Sequence, residues 1–324
     1  MRTTARLAHA PEWRTAIADA YGHEPLYIAG EDRAGRPGVL PAFIVKRPVG
    51  GTVVTSMPFL DSGGPCTASP ALGAALVGRL LTEARRHGAK AVELRCTARL
   101  PIDAVPNESK VNLTLALPSD PARLWKQLDG SVRSQIRKAE RAGLGVTFGG
   151  VDLLPEFYGP FAERMRDLGS PVHSYDFLRS VLECFGGRGR VALVRKDGAA
   201  VGGLIALAFE ERLVVPWAAC LKEHFAHCPN MLLYWEALRS ACLEGFSRFE
   251  FGRSTRGSGT YRFKLQWGAQ EEPLFWYTIP LRAPARAESA GASRTSDLAV
   301  KAWQRLPLAL TTSVGPVVRR YLIQ

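Results

Sequence analysis

No stretch of this 324-residue chain reaches the roughly 18 uninterrupted apolar residues that a membrane-spanning helix needs. The opening residues Met1-Arg-Thr-Thr-Ala-Arg lead to Pro11, Glu12 and Trp13 without the apolar core of a secretion signal, so none is read. The six cysteines (Cys66, Cys96, Cys184, Cys220, Cys228 and Cys242) form no C-x-x-C pair, which excludes a zinc ribbon and a thioredoxin-type motif. Scattered thiols with no export signal fit a reducing cytoplasm and read as small buried apolar groups. The phosphate-binding pattern G-x-x-x-x-G-K-[ST] is also missing.

What is present is a globular composition, 46% apolar and 22% charged, on a length that suggests two domains. Lys and Arg number 42 against 30 Asp and Glu, and the resulting +12 points to an anionic partner: nucleic acid, a phosphorylated ligand or an acidic membrane surface. Segment 121–145 holds six basic and two acidic residues, and segment 281–324 holds seven and two, so most of the excess lies in these two places.

The pattern is written twice. In the second half, strands are expected at Val191 to Val194, Val201 to Phe209 and Leu213 to Leu221, with Asp197-Gly198 as a hairpin turn. A helix follows from about Met231 to Glu244, stopped by Gly245, and then a strand over Phe246 to Phe251. The first half repeats this order with strands at Leu26 to Ala29, Val39 to Val45 and Thr52 to Thr55, a helix over Ala71 to Arg86 and a strand over Ala91 to Arg95. The offsets agree: 157 for Gly88 and Gly245 and for Glu93 and Glu250, 160 for Val54 and Val214, 162 for Val39 and Val201. A steady offset over five elements predicts two copies of one α+β fold. Between them, Pro121 to Gly143 is expected as one helix, with Arg133, Arg137 and Arg141 sharing a face. Helices are also expected at Tyr158 to Leu168 and Tyr175 to Cys184.

The chemistry concentrates in Phe249 to Tyr277, FEFGRSTRGSGTYRFKLQWGAQEEPLFWY. A strand ends at Gly252, and a loop follows with Arg253, Ser254, Arg256, Gly257, Ser258 and Gly259. Small residues let backbone N–H groups approach phosphate oxygens and arginine forks bind them, though a flexible surface turn has the same composition. Arg133 and Arg137 fit RNA or a pyrophosphate, or simply a solvated basic face. Trp217 is either a core aromatic or a surface for stacking a sugar or base. His173, in a loop, is within reach of a cleft. Cys220, His224, His227 and Cys228 have the i, i+4, i+7, i+8 spacing of a metal site, but they fall between a strand and a helix with Pro229 directly after, and no metal is expected.

The run F-E-F-G-R-S…G-S-G-T-Y-R-F-K…W-G resembles FemAB-related proteins, particularly those associated with the exosortase/PEP-CTERM system of exopolysaccharide producers. Pro229 to Leu238 (P-N-M-L-L-Y-W-E-A-L) and Arg133 to Leu144 (R-S-Q-I-R-K-A-E-R-A-G-L) carry the same likeness. The resemblance implies tandem GNAT-like domains, each a mixed, mostly antiparallel sheet flanked by helices. The expected boundaries are 1–143 for a first domain with its basic connecting helix, 144–282 for a catalytic second domain, 283–297 for a flexible linker and 298–324 for an amphipathic tail. It implies an acyltransferase that forms an amide on an amine of a peptidoglycan, envelope or exopolysaccharide precursor. Its donor would be aminoacyl-tRNA or acyl-CoA, with no tightly bound cofactor.

In this family a Phe-Lys pair sits at the reaction centre, and the matching residues are Phe263 and Lys264. Lys264 would stabilise the oxyanion, as a fixed ammonium in a water-poor cleft can. Tyr261 would relay a proton, and Arg253, Ser254 and Arg256 would hold a phosphate. Glu250 is the best candidate base, with a structural role at both Glu250 and Glu93 as the alternative. The thiols fit the cytoplasm, and the apolar but broken tail Ala302 to Ile323 would dock back on the protein or lie peripherally on the inner face of the membrane; tRNA is a candidate partner and DNA is not. Two other readings stay open: an acetyl-CoA-dependent GNAT enzyme, and a non-catalytic adaptor for RNA or lipid. The segment His224 to Asn230 lacks the glycines of a CoA pyrophosphate loop, which argues against the first.

Overall fold

In the computed structural model, which describes residues 5–281 and 292–323, the first repeat follows a short helix, α1 (Glu12–Tyr21). It consists of β1 (Glu24–Glu31), β2 (Pro37–Arg47), β3 (Gly51–Thr55), α2 (Pro70–Arg86) and β4 (Ala91–Cys96). β1, β2 and β3 pair antiparallel, and β3 pairs parallel to β4. Helix α2 starts where Ser69 accepts the amide of Leu72 and Pro70 pre-sets the first turn. Its Leu72, Leu76, Val77, Leu80 and Ala84 fall on one face and cover the sheet.

A connecting region follows: β5 (Lys110–Ala116), α3 (Pro121–Gln127), α4 (Gly130–Arg141), β6 (Gly145–Gly149), α5 (Leu154–Asp167) and α6 (Tyr175–Phe185). The single helix expected over 121–143 is broken into α3 and α4. Leu128 is extended, and the side chain of Asp129 accepts the amide of Ser131, so a second helix starts there.

The second repeat is β7 (Gly189–Lys196), β8 (Ala199–Phe209), β9 (Arg212–Cys220), α7 (Pro229–Leu243) and β10 (Arg248–Thr255). Its strands pair in the order and senses of the first repeat. The duplication read from the offsets is therefore present as topology. The chain continues through α8 (Gly259–Leu265), β11 (Gln270–Pro273), β12 (Phe275–Pro280), α9 (Ala292–Gln304) and α10 (Leu308–Tyr321). Residues 259–265 form a helix, an element that was not anticipated there.

Across the boundary expected at residue 143 the two halves exchange strands. β5 leaves the first half to pair antiparallel with β10, and β12 returns from the second half to pair antiparallel with β4. Each fourth strand would otherwise present an unpaired edge, and each receives its partner from the other half. The sheets accordingly read β1-β2-β3-β4-β12 and β11-β5-β10-β9-β8-β7-β6. One apolar core lies under α2; another joins α3, α4 and α7 to one face of the second sheet. The third fills the space between the halves, with Trp13, Phe43, Phe59, Phe177 and Trp217.

Most of the linker expected at 283–297 lies outside the described residues, and from Ala292 the chain is helical. The tail docks back on the protein. Thr311 and Gly315 of α10 are buried, and a Cβ at Gly315 would stand 3.1 Å from the amide nitrogen of Val172, so glycine eases this close approach. His23 Nε2 bonds the carbonyl of Arg320 at 2.9 Å.

The strand exchange has a measurable consequence. A fragment of residues 1–143 keeps β5 without β10 and β4 without β12, so it is expected to be molten or aggregated alone. A cooperative unfolding transition of that fragment in circular dichroism would contradict it.

Candidate active site

β9 and β10 run together for three residue pairs only, Arg212 with Arg248, Leu213 with Phe249 and Val214 with Glu250. Immediately beyond, both strands bulge. β9 places three steps, Val214 to Trp217, against two of β8; β10 places three, Glu250 to Arg253, against two of β5. An extra residue bends a strand and strengthens its twist. With two bulges side by side, the parallel pair splays into a notch. Pro216, inside the β9 bulge, has no N–H to offer across it. Gly252, inside the other, has φ +76°, and a Cβ there would lie 3.2 Å from the carbonyl oxygen of Val215. Glycine meets both demands.

Lys264 closes the floor of this notch. Ser258 caps α8 by accepting the amide of Tyr261, and the helix then carries Lys264 under the β10 bulge. Its Nζ donates to the carbonyls of Gly252 and Arg253, both at 2.8 Å. A third N–H is left without a protein partner among the described residues. The side chain is 8% exposed, and loss of solvent brings its pKa down to about 8, with nearby Asp61 opposing and Arg253 reinforcing the shift.

Asp61 comes from the loop after β3. Its Oδ2 accepts the backbone N–H of Arg253 at 3.0 Å and its Oδ1 pairs with the Arg253 Nε at 3.1 Å. Arg253 lies 4.8 Å from the centre of the Trp276 ring and Arg95 4.9 Å, and Trp276 Nε1 donates to the carbonyl of Asp61. Arg95 is 2% exposed; burial, with Arg253 nearby, brings its pKa down to about 10, and its Nη2 has no hydrogen-bond partner. Arg319 of α10 enters from the other side, its Nε donating to His173 Nε2 at 3.1 Å, and burial brings it to about 10 as well. Asp61 therefore stands among four cations: Arg95, Arg253, Lys264 and Arg319. Beside them a cavity of about 60 Å³ is lined by Arg6, Phe59, Asp61, Asn112, Pro216, Glu250 and Gly252.

Of the residues singled out in the sequence, Lys264 and Arg253 meet at the notch. Ser254 is buried next to them with its Oγ unpartnered. Tyr261 and Arg256 do not face it. The Tyr261 hydroxyl donates to Glu271, which raises its pKa, and Arg256 pairs with the same carboxylate at 2.9 Å. Phe263 packs on Tyr234 and Trp267. Trp217 belongs to the core between the halves, against Trp13, His173 and Phe177. Arg133 and Arg137 lie on α4, on the opposite face of the second sheet from the cavity, with Arg137 5.5 Å from the Trp125 ring.

Glu250 is held by Arg212 Nη1 at 2.7 Å and by Asn112 Nδ2 at 3.1 Å, and Glu93 pairs with Arg47. Residues 222–227 form a 3-10 turn rather than an α-helix, so the Cys220, His224, His227 and Cys228 face is not formed. His173 is buried and held neutral between Tyr21 and Arg319. Asp61, Arg95, Trp276 and Arg319 were not anticipated. Their only local signal is a charged residue in an apolar strand at Arg95 and an Arg-Arg pair in the tail at Arg319.

Residues 127–265 match the family model described as Acetyltransferase (GNAT) domain, a span that holds the notch and ends just beyond Lys264. No curated protein matches the chain in sequence. Among solved structures, FemX is similar at 13% identity and a TM-score of 0.64, covering 85% of this chain and 92% of that one. The C-terminal domain of a putative lysylphosphatidylglycerol synthetase from Agrobacterium fabrum is similar at 12% identity and 0.54, covering 89% and 90%. A tandem GNAT protein from the clavulanic acid biosynthesis pathway is similar at 14% and 0.52, covering 80% and 84%. These likenesses establish a tandem GNAT fold, and the family match makes residues 127–265 an acyltransferase domain. Such a domain normally takes its acyl group from acyl-CoA, bound as a substrate.

Replacing Gly252 by alanine puts a Cβ into a left-handed backbone and against Val215. Gly252→Ala is expected to lose roughly 1–2 kcal/mol or more in urea denaturation. An unchanged midpoint would show that the bulge is not constrained as described.

Proposed function

We propose that this chain transfers an activated acyl or aminoacyl group to an amine of a cell-envelope or exopolysaccharide-related precursor, at the notch between β9 and β10. The observation that carries the reading is the Lys264 ammonium, fixed by two carbonyls with one N–H to spare. When an amine attacks an acyl carbonyl, negative charge builds on the carbonyl oxygen. A donor already in place stabilises that charge without reorganising, an effect worth about 10²–10³ in rate at comparable sites. The C–N bond forms, the bond to the departing oxygen or sulfur breaks with its electron pair, and the amine proton ends on that leaving atom. This substrate-assisted transfer suits a site whose cavity-lining Glu250 is already committed to Arg212 and Asn112.

Arg253, Arg95 and Arg319 supply the positive field for a phosphorylated acceptor or donor. Of the phosphate contacts expected from sequence, Arg253 is the one this reading retains at the centre, because Arg256 is tied to Glu271. The name lysylphosphatidylglycerol synthetase denotes an aminoacyl group placed on a phosphate-bearing acceptor, so the fold is compatible with that chemistry. The motif likeness to exosortase-associated proteins belongs to the same proposal.

An acyl-CoA donor is favoured by the acetyltransferase match. Against it, the amides of His224, Cys228 and Met231 are spent on the carbonyls of Leu221, Phe225 and Cys228, and residue 229 is proline. Mass spectrometry of amine-bearing precursors incubated with aminoacyl-tRNA or with acetyl-CoA separates the donors. Lys264→Met is expected to lower turnover about a hundredfold or more; retention within twofold would remove the assignment.

The pH profile gives a second check. Lys264 loses its proton near pH 8 when folded, against an ordinary value of 10.5. The folded state thus binds this proton less tightly than the unfolded chain, and its contribution to stability rises with pH between about 8 and 10.5. Turnover that needs the ammonium moves the opposite way, falling as pH passes about 8. The residual rate of Lys264→Met should lack that alkaline limb; an identical limb in both proteins would assign it to another group.

A further inference from the structure

Helix α10 leaves several of its apolar side chains outward. The positions it turns inward include Thr311 and Gly315, while Leu310, Val314 and Val317 stand 45%, 40% and 62% exposed. These three are spaced i, i+4, i+7 and form one outward stripe. The stripe continues beyond the helix. Val317, Tyr321 and Leu322 border an open groove of about 570 Å³ whose far wall is the turn between β2 and β3, with Arg47, Pro48 and Val49. Val49, at the tip of that turn, is 88% exposed. Exposed apolar residues scattered singly need no explanation, but a continuous stripe rimmed by polar groups marks a contact surface.

We infer that this face rests on an anionic lipid bilayer. Its surroundings carry the charge that such a surface selects. Lys301 and Arg305 are exposed at the end of α9 and have no ion pair among the described residues. From Ala292 to Leu306 the sequence carries three basic residues, Arg294, Lys301 and Arg305, and one acidic residue, Asp297. A second copy of this chain would bring the same cations face to face. A nucleic acid would have no use for valine and leucine. A bilayer takes both parts: the stripe enters the boundary between headgroups and acyl chains, and the cations meet anionic phosphates. No helix among the described residues is long and apolar enough to cross a membrane, so the contact is peripheral. The inference does not rest on the transfer chemistry proposed above and survives its failure.

Flotation of the full chain with vesicles of phosphatidylcholine, with and without phosphatidylglycerol, tests this. Binding is expected only with phosphatidylglycerol, weakening as salt is added. Leu310→Asp combined with Val317→Asp should lower binding tenfold or more, and Lys301→Ala and Arg305→Ala about fivefold each. Val49→Asp repeats the test outside the helix, and unchanged far-ultraviolet circular dichroism and melting confirm that the variants fold. Absence of binding to either vesicle overturns the inference, as does equal binding by parent and stripe variants. Sedimentation velocity that shows a dimer dissolved by the stripe variants, with no vesicle binding, would assign the face to a second copy instead.

Discussion

The contact between the Lys264 ammonium and the carbonyls of Gly252 and Arg253 is the constraint on which the site depends. A bulge frees backbone groups from the ladder, and groups freed in an interior need another partner. Here the partner is a charge, and a buried charge needs compensation of its own. Asp61 provides it from the loop after β3, in the other half of the molecule. The notch is therefore completed by both repeats. The exchange of β5 and β12 serves the same geometry: β12 brings Trp276 beside Arg253 and Arg95, and β5 brings Asn112 to Glu250.

Asp61, with Glu93 acting on Arg95, leaves four cations short of matching acids in a region with little water. Burial is the main cause of the depressed pKa values of Arg95 and Arg319, and Arg253 pushes each further down. Cations gathered at an interface without matching acids lower stability, and proteins keep such features where function uses them. Trp276 softens the repulsion, since an aromatic face attracts a guanidinium, and backbone carbonyls of Met57 and Leu60 accept from Arg95. Neither contact removes the net charge. This imbalance is the physical ground for reading the region as a place where an anion belongs.

The sequence was legible wherever information is local. Helices α2, α6 and α7 follow from apolar spacing and caps, and the repeat follows from offsets near 160. Lys264 was found because a motif carries it, although its setting on a helix beneath a bulge was not foreseen. Long-range pairing was beyond reach. Nothing in Lys110 to Ala116 says that the strand crosses to β10, since any strand edge with the right alternation would serve as partner. Asp61, Arg95 and Arg319 lie far apart along the chain, and an isolated charged residue reads as solvent-exposed until the fold brings a second one to it. Asp129 is the reverse case, a legible helix cap that was overlooked inside an apparently continuous apolar spacing.

Helix α10 lies between the Asp61 cluster and an outward apolar stripe. Its inner side delivers Arg319 to His173 and the Asp61 cluster, and its outer side presents Leu310, Val314 and Val317. At its centre the inward residues are a threonine and a glycine, which bury little apolar area, while Leu308, Tyr321 and Ile323 pack its two ends onto the core between the halves. Any surface that binds only the docked arrangement of the helix stabilises it by mass action. Arg319 would move with the helix. Contact at the outer face and the charge around Asp61 are thus two ends of one rigid element.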